Sequence, residues 1–212
     1  MHQKINIIPK TWAIKRKDRK FVVTSMHMRR QGIPLLIAMR DILCVVSDRR
    51  ELGIALRDGK IKINNKIVKE DRFPLLLMYV LSFDSKHYRV LINDKGKFNF
   101  EEISEKDAKE ITLKVIGKKI LKKGKIQFNL SGGHNLIGNE EIKIGNSIVL
   151  DIDKNEVKKI LRLEKGAHAI VIGGRHMGKF GSINHIEDKL AKIEGKNVHI
   201  NVNLNNIMAI EK

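Results

Sequence analysis

The stretch R-R-E-L-G-I-A-L-R-D-G-K-I-K-I-N-N-K-I-V, residues 49–68, decides the fold. Its first half reads as a helix. Asp48 can cap it, Glu51 stands three residues on as in a capping box, and Gly59 after Asp58 supplies the stop. Its second half reads as a tight β-hairpin. Ile61 and Ile63 alternate with Lys60 and Lys62, Asn64-Asn65 can turn, and Ile67 returns. Upstream, Pro34 precedes L-L-I-A-M-R-D-I-L-C-V-V. Proline suits the first turn of a helix, where its missing N–H would be unpaired anyway. The expected order is helix, helix, hairpin.

From about residue 88 the pattern turns to β. Y-R-V-L-I, N-D-K-G-K and F-N-F give a hairpin, and S-E-K-D-A-K-E a short capped helix. L-K-V-I-G-K-K-I-L-K-K-G-K-I-Q-F-N-L gives strands separated by Gly117 and Gly124. S-I-V-L-D-I-D-K-N-E-V-K-K-I-L-R-L gives a hairpin around 153–155. Many short strands with glycine turns suggest a small barrel or curled sheet. The expected class is α+β, in four parts: a basic N-terminal extension over 1–30, the helix–helix–hairpin domain over 31–90, a central β-rich domain over 91–163 and a C-terminal β domain over 164–212.

The 212 residues carry 42 Lys and Arg against 24 Asp and Glu, a formal charge of +18. Apolar residues make up 42%, enough for packed cores. Such a surplus on a folded chain points to a polyanionic partner and away from most small-molecule enzymes. Aromatics at 5% do not support single-strand binding by rows of stacking rings. The single cysteine, Cys44, excludes an intramolecular disulfide and a multi-cysteine zinc site. In I-L-C-V-V it reads as a buried, inert thiol suited to a reducing compartment. The longest apolar run, residues 73–81, is about half a membrane span, and no secretory signal is visible. A soluble, cytoplasmic protein without a membrane partner is expected.

The first 30 residues hold +8 of the surplus. Lys10, Lys15, Arg16, Lys17, Arg19, Lys20, Arg29 and Arg30 are interleaved with Trp12, Ile14, Phe21, Val22 and Val23, which suggests a segment that docks on an anionic surface rather than a solvated tail. These cations and Trp12 are candidate RNA-binding residues. A second constellation lies on the helix and hairpin. Arg49 and Arg50 fall in a first helical turn, where unpaired N–H groups and the dipole also favour phosphate. Arg40 and Arg57 extend that face, and Lys60, Lys62 and Lys66 lie on the hairpin.

Signs of catalysis are missing. G-G-R-H-M-G-K-F at 173–180 matches a phosphate loop through Lys179, but Phe180 lacks the hydroxyl that would ligate magnesium, and a strand-like run follows where a helix must open. The eight histidines form no i, i+4 pair or spaced metal set. The acid pairs Glu101-Glu102, Glu140-Glu141 and Glu187-Asp188 read as solvated turns. No small-molecule substrate, cofactor or metal is expected.

Residues 49–68 resemble the S-four RNA-binding domain, with its basic helix start, Gly59 and the Asn64-Asn65 turn. E-K-G-A-H-A-I-V-I-G-G-R-H-M-G-K-F-G-S-I, residues 164–183, resembles a KOW motif, with Gly166, Gly173, Gly174, Gly178 and Gly181 in place. With P-K-T-W-A-I-K-R-K in the arm and Y-R-V-L-x-N-D-K-G-K in the middle, the order resembles the small-subunit ribosomal protein S-four-e family, in its shorter archaeal form. The resemblance implies a non-enzymatic constituent of the small subunit, bound to ribosomal RNA and neighbouring ribosomal proteins. The C-terminal domain would then be an SH3-like barrel whose turn (Gly173, Gly174, Arg175, His176, Gly178, Lys179 and Gly181) contacts RNA or protein, or whose glycines only make tight turns. Two other readings are an RNA-modifying or tRNA-acting enzyme with an S-four accessory domain, and a KOW-bearing transcription elongation factor.

Overall fold

The computed structural model describes residues 2–138, 142–187, 189–195 and 198–211. Glu140, Glu141 and Asp188 lie outside these. The fold is α+β, mostly strands with few helices. The chain divides into two compact units, residues 1–93 with 97–109 and residues 94–96 with 110–212.

The first unit holds β1 (His2–Lys4), β2 (Phe21–Val23), β3 (Ile33–Pro34), α1 (Leu35–Ile37), α2 (Arg49–Arg57), β4 (Ile61–Ile63), β5 (Lys66–Ile67), β6 (Pro74–Leu75), β7 (Val80–Phe83), β8 (Lys86–Ile92) and β9 (Phe98–Ile103). Pro34 caps α1, which is a single turn continued as a π-helical segment over Ala38–Ile42. The chain leaves that segment with Cys44 at φ +53 and exposed. The expected buried thiol is therefore corrected: the left-handed backbone at Cys44 ends the helical run and leaves this residue outside the core.

In α2 the Asp48 side chain accepts the Glu51 N–H at 2.8 Å, and the Glu51 carboxylate accepts the Ser47 N–H at 2.6 Å. Gly59 follows at φ +69. The hairpin then turns through Asn64 and Asn65, both with positive φ, as a primed two-residue turn requires. Asn64 also exchanges two bonds with Val80. Its N–H donates to the Val80 carbonyl and its side-chain oxygen accepts the Val80 N–H, each at 2.9 Å. The turn is thereby fixed to the head of β7.

The sheet order is β5-β4-β7-β8-β9, antiparallel throughout. β8 runs across residue 90, so residues 91–92 and β9 extend the hairpin's sheet. Ile33, Leu35, Leu36, Ile37, Met39, Leu52, Ile61, Leu75 and Leu81 form its buried core.

The N-terminal arm packs on this unit. Ile5, Ile8, Trp12 and Val22 are buried, β1 pairs β2, and Phe98 N–H donates to the Thr11 carbonyl at 2.8 Å.

The second unit holds β10 (Glu110–Ile120), β11 (Ile126–Leu130), β12 (Asn135–Gly138), β13 (Ser147–Asp151), β14 (Val157–Leu161), β15 (His168–Val171), β16 (Phe180–Glu187), β17 (Leu190–Gly195), β18 (Val198–Asn203) and β19 (Ile207–Ala209). Gly117 does not separate strands as expected. β10 continues through it with a register shift, pairing β13 through residues 110–114 and β11 through 115–120.

The last five strands form an antiparallel sheet in the order β18-β17-β16-β15-β19. Ala169, Val171, Ile183, Ala191, Ile193, Val202 and Ile207, drawn from all five strands, share one apolar cluster. A flat sheet cannot bring both edge strands to one cluster, so this one is curled. Gly181 makes the curl possible, because a Cβ there would lie 2.3 Å from the Glu194 carbonyl oxygen.

Candidate nucleic-acid interface

Arg50, Ile54 and Arg57 are exposed at spacings of four and three, which places them on one face of α2. Lys60, Lys62 and Lys66 are exposed along the following hairpin, while Ile61 and Ile63 point into the core. Arg50, Arg57, Lys60, Lys62 and Lys66 have no ion-pair partner among the described residues. The other expected cations of this surface do have partners. Arg49 pairs with Asp71 at 2.7 Å. Arg40 donates to both Asp41 oxygens at 3.1 and 2.8 Å, and Arg19 to the same carboxylate at 3.4 and 3.0 Å.

The first turn of α2 is also occupied. Asp48 accepts the Glu51 N–H of that turn, and the Glu51 carboxylate turns back to the Ser47 N–H, so two carboxylates stand at the helix end and the exposed cations define this surface.

In the arm, Lys10, Lys15, Lys17, Lys20, Arg29 and Arg30 are exposed. The Arg16 guanidinium donates to the carbonyls of Ile8 and Pro9, each at 3.4 Å. Trp12 corrects the expectation. It is 2% exposed and its indole N–H donates to the Gly32 carbonyl, so the ring anchors the arm and cannot stack on a base.

In the C-terminal turn, Arg175 is exposed, His176 and Lys179 are half-buried, and Gly178 and Gly181 are buried. Gly178 N–H donates to the Val171 carbonyl and Val171 N–H to the Lys179 carbonyl, at 2.8 and 2.9 Å. The segment then enters β16 at Phe180.

Two features lay outside the sequence reading. Ser82 Oγ and His87 Nδ1 lie 2.8 Å apart on paired positions of β7 and β8. In the second unit the Lys114 ammonium is buried and donates to the carbonyls of Leu204, Asn205 and Ile207 at 2.7, 3.0 and 2.6 Å. Burial pushes its pKa down from 10.5 to about 8. Strand alternation would assign Lys114 to an outer face. The 204–207 segment, ninety residues on, caps its ammonium.

Lysine and arginine donors on a helix and hairpin can neutralise and orient phosphates. The fold and this surface define a class of basic protein whose exposed cations suit a polyanion.

Comparison with known proteins narrows the class. Residues 84–157 match the model of "Ribosomal family S4e". The "Small ribosomal subunit protein eS4" of Methanosphaera stadtmanae is 33% identical over 184 residues, covering 84% of this chain and 76% of that protein. The protein of the same name from Archaeoglobus fulgidus is 34% identical over 187 residues, covering 86% and 79%. The crystal structure of the 30S ribosomal protein S4e from Thermoplasma acidophilum superposes with a TM-score of 0.74 at 25% identity, covering 85% of this chain and 95% of that one. The chain belongs to the ribosomal protein S4e family.

Proposed function

We propose that the chain is a structural, non-enzymatic constituent of the small ribosomal subunit, acting in the cytoplasm, held on ribosomal RNA and flanked by other ribosomal proteins. The observation that carries the RNA-binding surface is the set of exposed cations Arg50, Arg57, Lys60, Lys62 and Lys66, without ion-pair partners among the described residues, on one helix–hairpin scaffold. In this reading residues 31–90 are an S-four-like RNA-binding module. The arm of residues 1–30 adds exposed cations beside it, and the central β-rich part, residues 91–163, lends β9 to the sheet of that module and continues from β10 in the second unit. Residues 164–212 are a KOW-type barrel, whose curled five-strand sheet and Gly181 close approach support that assignment. Structured RNA is bound mainly by shape and phosphate contacts, which suits a chain poor in surface aromatics.

Co-sedimentation with small subunits tests the reading. The protein should remain on the subunit through a moderate-salt wash and leave as salt rises, because each phosphate contact releases counterions. Recovery only with free RNA polymerase or with tRNA would favour the elongation-factor or tRNA-enzyme reading instead.

A further inference from the structure

Beside the β4–β5 hairpin the first unit holds an open cleft of about 240 Å³, walled by the hairpin, the β7–β8 turn and residues 105–109. We propose that this cleft receives one unpaired nucleotide of the bound RNA. The proposal rests on the RNA-binding reading and adds what that surface selects.

Size supports it. Sites for whole small-molecule ligands run from roughly 300 to 1,000 Å³, and this cleft is smaller, so it fits a fragment rather than a free cofactor. Its chemistry supports it as well. Recognition of an unpaired base takes three things: a planar ring to stack on, polar groups for the base edge, and cations for the flanking phosphate. Among the lining residues His87 supplies the ring. Lys60 and Lys62 supply cations on the same hairpin that carries the unpaired basic row. Asn65, Ser82 and Asp84 supply edge partners.

The Ser82–His87 contact at 2.8 Å fixes the imidazole against β7, so the ring is held before RNA arrives. The charged groups around His87 are Lys60 and Lys62 from the hairpin, Asp84 from the turn, and Glu105 and Lys109 from the covering segment. Glu105 pairs with Lys109 at 3.7 Å, which leaves Asp84 as the lining acid without an ion-pair partner among the described residues. A carboxylate repels phosphate but accepts from an exocyclic amino group, so the occupant is a base carrying one, cytosine, adenine or guanine, in preference to uracil.

The test uses the full chain and two RNA stems, one fully paired and one with a single bulged cytosine, compared by fluorescence anisotropy. The wild type should bind the bulged stem about tenfold more tightly, the scale expected of one stacked base. His87→Ala and Ser82→Ala should lose most of that preference while keeping their affinity for the paired stem, which also reports that they are folded. Asp84→Asn, at an exposed turn position that asparagine tolerates, should erase the preference for bulged cytosine over bulged uracil. Equal wild-type affinity for the two stems overturns the proposal and leaves the RNA-binding reading standing. A preference that survives all three substitutions also overturns it, since the bulge is then read elsewhere. No binding to either stem overturns the RNA-binding reading itself.

Discussion

The indole N–H of Trp12 donates to the carbonyl of Gly32 at 3.2 Å, joining the basic arm to the segment that opens the first helix. The arm thus presents its charges from a folded base. Trp12→Ala should cost about 3–5 kcal/mol in urea unfolding, the usual scale for emptying a buried tryptophan site. Trp12→Phe should cost about 1–2 kcal/mol, because most of the ring volume survives and the carbonyl loses its donor. Folded Trp12→Phe should bind RNA as the wild type does. Normal stability with lost RNA affinity would instead make the ring an RNA contact.

Arg50→Ala combined with Arg57→Ala should weaken RNA binding and lower the slope of log affinity against log salt by about 0.9 for each phosphate contact removed. The thermal midpoint should hardly move, since unpaired surface residues are usually worth within about 0.5 kcal/mol. Lys192, already paired with Glu187 at 3.0 Å, is the control, and Lys192→Ala should leave affinity and slope nearly unchanged. Equal losses in both variants would mean that binding follows net charge and not this surface.

Lys114 makes stability depend on alkaline pH. Burial holds its pKa near 8 in the folded protein, below the ordinary lysine value of 10.5, so the folded protein gives up the proton first as pH rises. Between those values the unfolded chain binds more protons, and stability rises with pH by at most about 1.4 kcal/mol per unit. Below pH 8 both states are protonated and the slope disappears. Lys114→Met should be destabilised by about 1–3 kcal/mol at pH 7, because buried carbonyls lose their donor. Its deficit should grow between pH 8 and 10. Urea titrations at stepped pH read this directly, and parallel pH curves for the two proteins would refute it.

Two glycines should respond in opposite directions to alanine. Gly181→Ala places a methyl 2.3 Å from the Glu194 oxygen, between backbones that cannot both yield, and should unfold the curled sheet or lower its melting point sharply. Gly53, inside α2, has nothing within 4 Å of an added Cβ. Gly53→Ala should therefore stabilise by about 0.5–1 kcal/mol. A lower melting point for Gly53→Ala would overturn this expectation.

The helix–helix–hairpin order was legible because its signals are local. Asp48 caps the residue three ahead, Gly59 stops the helix, and Asn64-Asn65 accept the left-handed backbone that the turn demands. The exposed cations of the hairpin were legible from alternation with Ile61 and Ile63. Other features depend on what lies across space. Asp71 and Asp41 neutralise arginines that look free in sequence. Trp12 is buried by Gly32 and its neighbours, against the charge of the surrounding arm. Cys44 sits in an apolar run, yet a positive φ leaves it exposed. Lys114 and the Ser82–His87 contact needed the sheet registers before either had a partner.

The β15–β19 pairing, with Ala169 opposite Ala209, sets an order of events during folding. β15 to β18 can zip through successive hairpins, each closing a short loop. β19 must return across about forty residues to reach β15, and the entropy of closing a loop grows with its length. That return also delivers the carbonyls of Leu204, Asn205 and Ile207 to the Lys114 ammonium. Until it happens, burying that charge has no compensation. Closure of the curled sheet and final packing of β10 are therefore one kinetic event, and the unit should refold with a single slow phase rather than as two independently maturing halves.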